Sequence, residues 1–331
     1  MKDRKIDVIT MGLCSVDVSV LGADFGEFFK NEMTRASRIT LCVGGDAVNQ
    51  STTLSRLGHK VHFMGNVGDD DAGKCVLSSL GSNGVDVSSV VVREGVPTST
   101  VVLMVGDKDD RHMCPSTAES TNRYFDIDVV DFDLFRNAKI VSYGSLFCYP
   151  LISDEKLTEI LRKAKEAGCI TFADNKLDLT SNYDRYRNAM HYLDYLFVNQ
   201  DEAQFYSGED NPEKIAAYFM GLGVKNVIVK LGGKGCFVTS GSEKYYLSTY
   251  DVELVDTNGA GDNFAAGFIS ATLRGMGLYD RAKFATATAG MTVSSLGSST
   301  GVRSMKAVEM SLELFWKSKN TVKLKICWDT V

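Results

Sequence analysis

Residues 256 to 264 read Asp256-Thr257-Asn258-Gly259-Ala260-Gly261-Asp262-Asn263-Phe264. Two glycines let a backbone turn tightly and carry its N–H groups close to a ligand. The stretch lies between an apolar, strand-like run, Val252 to Val255, and a small-residue helix pattern from about Gly259 to Arg274. A helix starting there presents N–H groups without intrahelical partners and the positive end of its dipole, which together attract an anion. Asp262 is out of keeping with such a cradle. A carboxylate repels a phosphate that merely rests there, so its use falls on the incoming nucleophile, as acceptor of a hydroxyl proton. This spacing points to phosphoryl transfer to a hydroxyl, with the backbone of Gly259, Ala260 and Gly261 cradling the charge and Asp262 as the base.

Other polar stations are scattered along the chain. Gly44-Gly45-Asp46-Ala47-Val48-Asn49 ends a β-rich run (Arg38 to Val43) and leads into a helix pattern from Asn49 to Gly58. Asn49, one turn into that helix, offers a donor and an acceptor to a hydroxylated ligand. Asp17 stands in the alternating segment Cys14 to Val20, five residues after Gly12. Asn199-Gln200-Asp201-Glu202 closes one strand and opens a helix. Asn199 fits an N-cap and Glu202 the N3 position of a capping box, and Glu202 equally suits magnesium-bound water near a phosphate. Lys230-Leu231-Gly232-Gly233-Lys234-Gly235 is a glycine turn between two strands, not a P-loop, because neither Ser nor Thr follows the lysine and no helix opens there. The run Asp69-Asp70-Asp71 reads as the charged start of a helix, and the four histidines show no metal spacing.

The elements that must position these groups alternate. Strand patterns at Ile6 to Met11, Val61 to Gly68, Ala138 to Tyr143, Cys169 to Ala173, Tyr195 to Val198 and Asn226 to Lys230 are separated by helix patterns, among them Ala72 to Leu80, Asp154 to Ala167, Tyr183 to Met190, Gln200 to Tyr206 and Pro212 to Leu222. That order implies βαβ units and a mostly parallel sheet. Thr98 to Val105 and Arg111 to Cys114 read as a hairpin. Helix patterns at Tyr279 to Ser295, rich in small residues, and Ser304 to Lys317 close the chain. We therefore expect an α/β fold in one domain spanning 1–331, with the β-rich stretches at about 13–45 and 96–121 forming a minor sheet or lid.

At 331 residues, 44% hydrophobic and 24% charged, the composition is that of a globular protein. The net charge of −6, with Lys and Arg dispersed, lacks the basic face that nucleic-acid binding requires. Eight cysteines are widely spaced without a CxxC pair, which fits buried thiols in a reducing cytoplasm. The charged N-terminus is followed by only a short apolar run, so neither a signal peptide nor a membrane span is expected.

Together these features resemble the ribokinase/PfkB family of carbohydrate and nucleoside kinases. Asp256-Thr257-Asn258-Gly259-Ala260-Gly261-Asp262 matches the family's DTxGAGD signature and Gly44 to Asn49 its GGxxxN signature. The resemblance implies a ribokinase-like three-layer fold and an ATP- and magnesium-dependent kinase acting on a primary hydroxyl, with Asp262 as base and residues 259–262 as anion hole. It implies sugar contacts from Asp17, Gly44, Gly45 and Asn49, and a magnesium and phosphate region at Asn199 and Glu202. Lys230, Gly232 and Gly235 would line the nucleotide side, with the small residues that follow Phe284. A monovalent cation, potassium in particular, would lie near Asp256 and Asn258. A homodimer would form through the lid, with Val18, Val20, Leu41, Val101 and Leu103 at the interface.

The chain departs from ribokinases proper at several points. Ser15 replaces an Asn two residues before the sugar-binding Asp, Asp46 replaces the Lys after the double glycine, and Ser142-Tyr143-Gly144-Ser145 lacks the sugar-contacting Glu. Thr286 replaces the Asn common near adenine. Asp46 occurs in relatives acting on keto-sugar acids, which keeps ribose, fructose and keto-sugar acids all open. Three other readings compete: a nucleoside kinase, a sugar-binding protein without activity, and a Rossmann oxidoreductase. The last fails on Phe264 in the third glycine slot and on an aspartate facing a pyrophosphate.

Overall fold

The computed structural model describes residues 4–24, 26, 30, 32–105, 111–116, 119–176 and 186–317. Among them the larger sheet has eight strands, in the order β14 (Lys244–Leu247), β13 (Cys236–Thr239), β12 (Asn226–Lys230), β11 (Tyr195–Asn199), β10 (Ile170–Asn175), β9 (Ala138–Leu146), β1 (Ile6–Met11) and β4 (Val61–Met64). The strands from β4 to β12 are parallel, and β13 and β14 add an antiparallel edge. Neighbouring residues on each strand enter opposite cores, as the pleat requires. Ile9, Val141, Ala173 and Val198 pack with Leu157 and Ile160 of α3 (Asp154–Glu166), Ala189 of α4 (Arg187–Met190), Ala203 of α5 (Gln200–Ser207) and Phe219 of α6 (Pro212–Gly221). Val8, Ile140, Phe172 and Phe197 pack with Val48 and Leu54 of α1 (Asp46–Arg56), Val76 of α2 (Asp71–Ser82), Phe264 and Phe268 of α7 (Ala260–Leu273) and Ala285 of α8 (Leu278–Val293). The result is a three-layer α/β/α fold. α9 (Met305–Lys317) covers α8, with Val308 in a third, smaller cluster.

A second sheet, in the order β3 (Arg38–Gly44), β2 (Ser15–Leu21), β7 (Thr100–Val105) and β8 (Arg111–Pro115), is drawn from the two stretches 13–45 and 96–121. It is antiparallel except for the parallel pair β2 and β7. Residues directly across from each other share a face. Asp17 pairs with Cys42 and Val101, and Val18 with Leu41 and Val102. Val18, Val20, Ile39, Leu41, Val102 and Met104 therefore share the outer face, where Ile39 and Leu41 are 64% and 71% exposed. Val101 and Leu103, expected at an interface with them, lie instead on the face of Asp17.

Three other expectations are corrected. The run from Val61 to Gly68 breaks at Gly65, where a Cβ would lie 2.7 Å from the Phe63 ring, and β5 (Asn66–Gly68) pairs with β6 (Val91–Arg93) in a sheet of its own. Val252 to Val255 is not a strand. Its residues find no partner edge, Leu254 and Val255 are exposed, and the N–H groups of Val255 and Asp256 both donate to the Val293 carbonyl. α1 starts at Asp46, a turn earlier than its spacing suggests, because Gly45 at φ +100° turns the chain directly into it. The small residues of α8 serve close packing on α7, since a Cβ on Gly267 would lie 2.2 Å from Thr288 Oγ1. The helix expected over 183–190 falls largely outside the described residues; its last turn is α4. Asp70 caps α2 through a hydrogen bond from Gly73 N–H, as the acidic run suggests. Among the described residues no helix is long and apolar enough to cross a membrane.

Candidate active site

In open α/β sheets, ligands bind outside the carboxyl ends of the strands, where the strand order reverses. Here the reversal falls between β1 and β9. Gly12 follows β1, Gly144 and Ser145 end β9, Asp174 and Asn175 end β10, Asn199 ends β11 and Lys230 ends β12. The N-termini of α1 and α7 bring Asp46, Asn49 and Asp262 to the same end.

Asp262 meets Asn49 directly: Asn49 Nδ2 donates to Asp262 Oδ2 at 2.7 Å, across 213 positions of sequence. Ser298 Oγ donates to Asn49 Oδ1 at 2.9 Å, so the amide is held at both ends. Asn49 thus supports the carboxylate and keeps only one amide hydrogen for a ligand. Asn263 anchors the same corner by donating to the carbonyls of Gly259 and Ser298, and it accepts from Thr53 of α1. Gly259 adopts φ +74° at the N-cap of α7, and a Cβ there would lie 2.1 Å from the Ser298 carbonyl oxygen. Ala260 N–H donates to the Thr257 carbonyl at 3.4 Å, and the N–H groups of Gly261 and Asp262, in the first turn of α7, have no intrahelical partner, so the helix start that such a cradle requires is in place.

Asp17 receives a hydrogen bond from Ser15 Oγ at 2.8 Å and another from the Asn258 side chain. Burial raises its carboxyl above the usual range and the charge of Asp262 adds to this, against the opposing pull of Ser15, Lys176 and Asn258. Asn258, assigned above to a cation, is thereby tied to the predicted sugar-binding carboxylate. Gly44 is required by that carboxylate, since a Cβ on it would lie 2.2 Å from Asp17 Oδ2. Gly45 is required by the Leu13 carbonyl, 2.4 Å from where its Cβ would be.

Asp46 lies over the end of β9. Its Oδ2 accepts from Ser145 Oγ at 2.6 Å and its Oδ1 from Ala47 N–H at 2.8 Å. Ser145 and Phe147 hold φ at +49° and +81°, and non-glycine residues so strained cluster at functional sites. Burial and then the charge of Asp262 push the Asp46 carboxyl upward; Lys176, Ser145 and Ala47 oppose them without cancelling them. A folded-state pKa above the unfolded one means that stability is lost as pH rises past the unfolded value. Asp46→Asn is therefore expected to melt above the wild type at pH 8, the advantage shrinking as pH falls toward 4, measured by the thermal midpoints of both chains across that range.

On the phosphate side, Lys230 Nζ donates to Asp174 Oδ1 at 2.7 Å. Asn199 caps α5 by accepting from Asp201 N–H, while its own N–H donates to Asn175 Oδ1. Glu202, in the first turn of α5, acts electrostatically on both Lys176 and Lys230. Desolvation disfavours the Lys176 charge, but Asp46, Cys148, Asp262 and Glu202 outweigh it and hold its pKa above the lysine range. Asp256 accepts from Asn258 N–H and Gly297 N–H, bracing the loop before α7 against the segment after α8. Gly235 is fixed by packing, its Cβ position lying 1.8 Å from the Leu247 carbonyl oxygen, whereas Gly232 borders open space. Thr286 is buried and donates to Ala282 O of its own helix.

Sequence reasoning missed Asp174, Lys176, Ser145 and Ser298. A signal existed for the first: Asp174-Asn175 directly follows the apolar run of a central strand, where a charged residue must have a partner.

The profile of the pfkB family carbohydrate kinases matches residues 5–305. The chain is 27% identical over 338 aligned residues to a 2-dehydro-3-deoxygluconokinase of Bacillus subtilis, covering 94% of this chain and 98% of the relative. It is 24% identical over 320 residues to a 5-dehydro-2-deoxygluconokinase of Clostridium perfringens, covering 92% of each. The Arabidopsis thaliana ribokinase, solved in complex with ribose and ATP, superposes with a TM-score of 0.79 at 25% identity, over 93% of this chain and 99% of that one. With the sheet order, the α7 cradle and the near full-length match in agreement, the chain belongs to the pfkB family of carbohydrate kinases and is a sugar kinase.

Proposed function

We propose that this chain transfers the terminal phosphoryl group of ATP to a primary hydroxyl of a small sugar or sugar derivative. One observation carries the reading: the Asp262 carboxylate stands at the N-terminus of α7 with Asn49 on one oxygen, which leaves the other for an acceptor hydroxyl. Asp262 takes the hydroxyl proton as the oxygen attacks phosphorus, and the N–H groups of Gly259, Ala260 and Gly261 receive the charge that develops on the transferred group. Asp17, Gly44, Gly45, Asn49 and Ser15 form the acceptor side; Asn199, Lys230, Gly232, Gly235 and the segment around Thr286 form the nucleotide side.

Magnesium suits the donors on the phosphate side. It keeps several waters and takes few protein ligands, mainly carboxylates, beside substrate phosphates. Glu202 is such a carboxylate, placed where both lysines feel its charge. Among the described residues no set of three His, Cys, Asp or Glu is grouped as a closed metal cage. When bound, magnesium neutralises phosphate charge. A potassium ion beside Asp256 and Asn258, a cytoplasmic setting and one domain over 1–331 with the second sheet as its lid belong to the same reading. So does a homodimer through the outer face of that sheet, carried by Val18, Val20, Ile39, Leu41, Val102 and Met104.

The test is ADP release from ATP over a panel of pentoses, hexoses, keto-sugar acids and nucleosides. A sugar or keto-sugar acid is expected to give the highest kcat/KM. A nucleoside in first place would move the reading to a nucleoside kinase. Sugars that raise the melting temperature without any ADP release would replace catalysis by binding.

A further inference from the structure

The Asp174–Lys230 pair lies at the carboxyl ends of β10 and β12, and its atoms are largely shut off from water. The Asp174 side chain is 4% exposed and the Lys230 side chain 16%, at an Oδ1–Nζ distance of 2.7 Å. A buried ion pair gains little stability by itself, because desolvation offsets the attraction, so its position is the informative part. Lys230 Nζ lies against Gly261 in the middle of the proposed anion hole. A Cβ built on Gly261 would lie 3.1 Å from Nζ, 3.8 Å from Cε and 3.9 Å from Cδ. The glycine thus leaves the ammonium room beside the helix N-terminus. Asp262 and Glu202 both act on the charge of Lys230, so the proposed base and the proposed magnesium carboxylate are near enough for the ammonium to feel both. A lysine reaching for adenine or ribose would have no need of this place.

We propose that Lys230 binds the transferred phosphoryl group itself, and that Asp174 is its positioning residue, holding the ammonium beside Gly261 until a phosphate oxygen joins it. This rests on the kinase reading above and narrows it, moving Lys230 from the nucleotide side in general to the γ-phosphate. An ammonium has three donors, so one can stay on Asp174 while another meets the phosphoryl oxygen. Burial raises the Asp174 carboxyl to about 7 despite Lys230, with the charges of Asp262 and Asp46 adding to it.

The experiment compares wild type, Lys230→Met, Asp174→Asn and the double variant, which carries neither charge and so leaves no unpaired ion should Asp174→Asn fail to fold. Calorimetry measures the Kd of ADP and of AMP-PNP with magnesium, and kcat is measured on the best acceptor. Lys230→Met is expected to weaken AMP-PNP by roughly 10–100-fold, the worth of one charge-assisted hydrogen bond, with ADP within about twofold. The expected fall in kcat is roughly 10²–10³-fold, as for one donor to a developing charge. The double variant should match Lys230→Met in both readouts. Equal losses for ADP and AMP-PNP, or none for either, would overturn the γ-phosphate assignment. A double variant clearly worse than Lys230→Met would show Asp174 acting on its own and overturn the positioning role. A wild type that binds neither nucleotide would instead sink the kinase reading, and this proposal with it.

Discussion

Asp262→Asn is expected to lower kcat by roughly 10²–10⁴-fold on the best acceptor, the usual worth of a general base. The amide is nearly isosteric, and its oxygen can still accept from Asn49 Nδ2, which now spans 2.7 Å to Asp262 Oδ2. Fold and sugar affinity should therefore survive, with the KM of the acceptor changing by no more than about threefold, because the lost interaction belongs to the transition state. The loss lies in proton acceptance, which an amide cannot perform. Steady-state kinetics over acceptor concentration separate the two parameters. Full turnover in the Asn variant would remove Asp262 from the base role, and a rise in KM alone would make it a binding residue.

Gly259→Ala is the second large effect, and it acts through the backbone. Any L-residue at φ +74° costs about 1–2 kcal/mol for the left-handed conformation. The added methyl would also lie 2.1 Å from the Ser298 carbonyl oxygen, which cannot yield freely because Asn263 Nδ2 donates to it. Relief requires the turn to move, and with it the N–H groups that begin α7. We expect kcat to fall by roughly 10²–10³-fold, the cost of misplacing a donor to the developing charge, and the melting temperature to drop by at least several degrees. Circular dichroism melts and kinetics on one preparation check both. Gly275→Ala, at φ +73° just past the far end of α7 with open space around its Cβ position, carries the same backbone cost without the clash and is the matched control that should stay active.

Much of the frame was legible from spacing. The strands of the central sheet were placed within a few residues, because a buried parallel strand is a short apolar run whatever surrounds it. The turn at Gly259 and the start of α7 were legible because glycine types and a helix start lie side by side in sequence. Val252 to Val255 was misread for the complementary reason. Three apolar residues around Glu253 look like a strand, yet strand formation depends on a partner edge, and composition does not show whether one exists. Val101 and Leu103 went to the wrong face because the side of a sheet that meets a cleft depends on pairing register, which alternation alone leaves open. Lys230 and Asp174 stand 56 positions apart, and only the parallel order β10, β11, β12 brings them to one end of the sheet. The hydrogen bond from Ser145 to Asp46 sits where the chain passes through two strained residues, Ser145 at the end of β9 and Phe147 just past it, and nothing in Ser142-Tyr143-Gly144-Ser145 announces them.

The link between Asn49 and Asp262 also bears on how the protein is made. Emerging from the ribosome, the chain presents its predicted sugar-binding residues first, more than 200 positions before the base they serve. The entropy of closing so long a loop is met only after the intervening strands have paired. Ser298, which steadies Asn49 from 249 positions away, arrives later still. An elongating chain can thus assemble most of its sheet while chemically silent, and phosphoryl transfer should appear only with the final helices. In a refolding experiment, recovery of activity should trail recovery of helical and sheet signal by a resolvable phase.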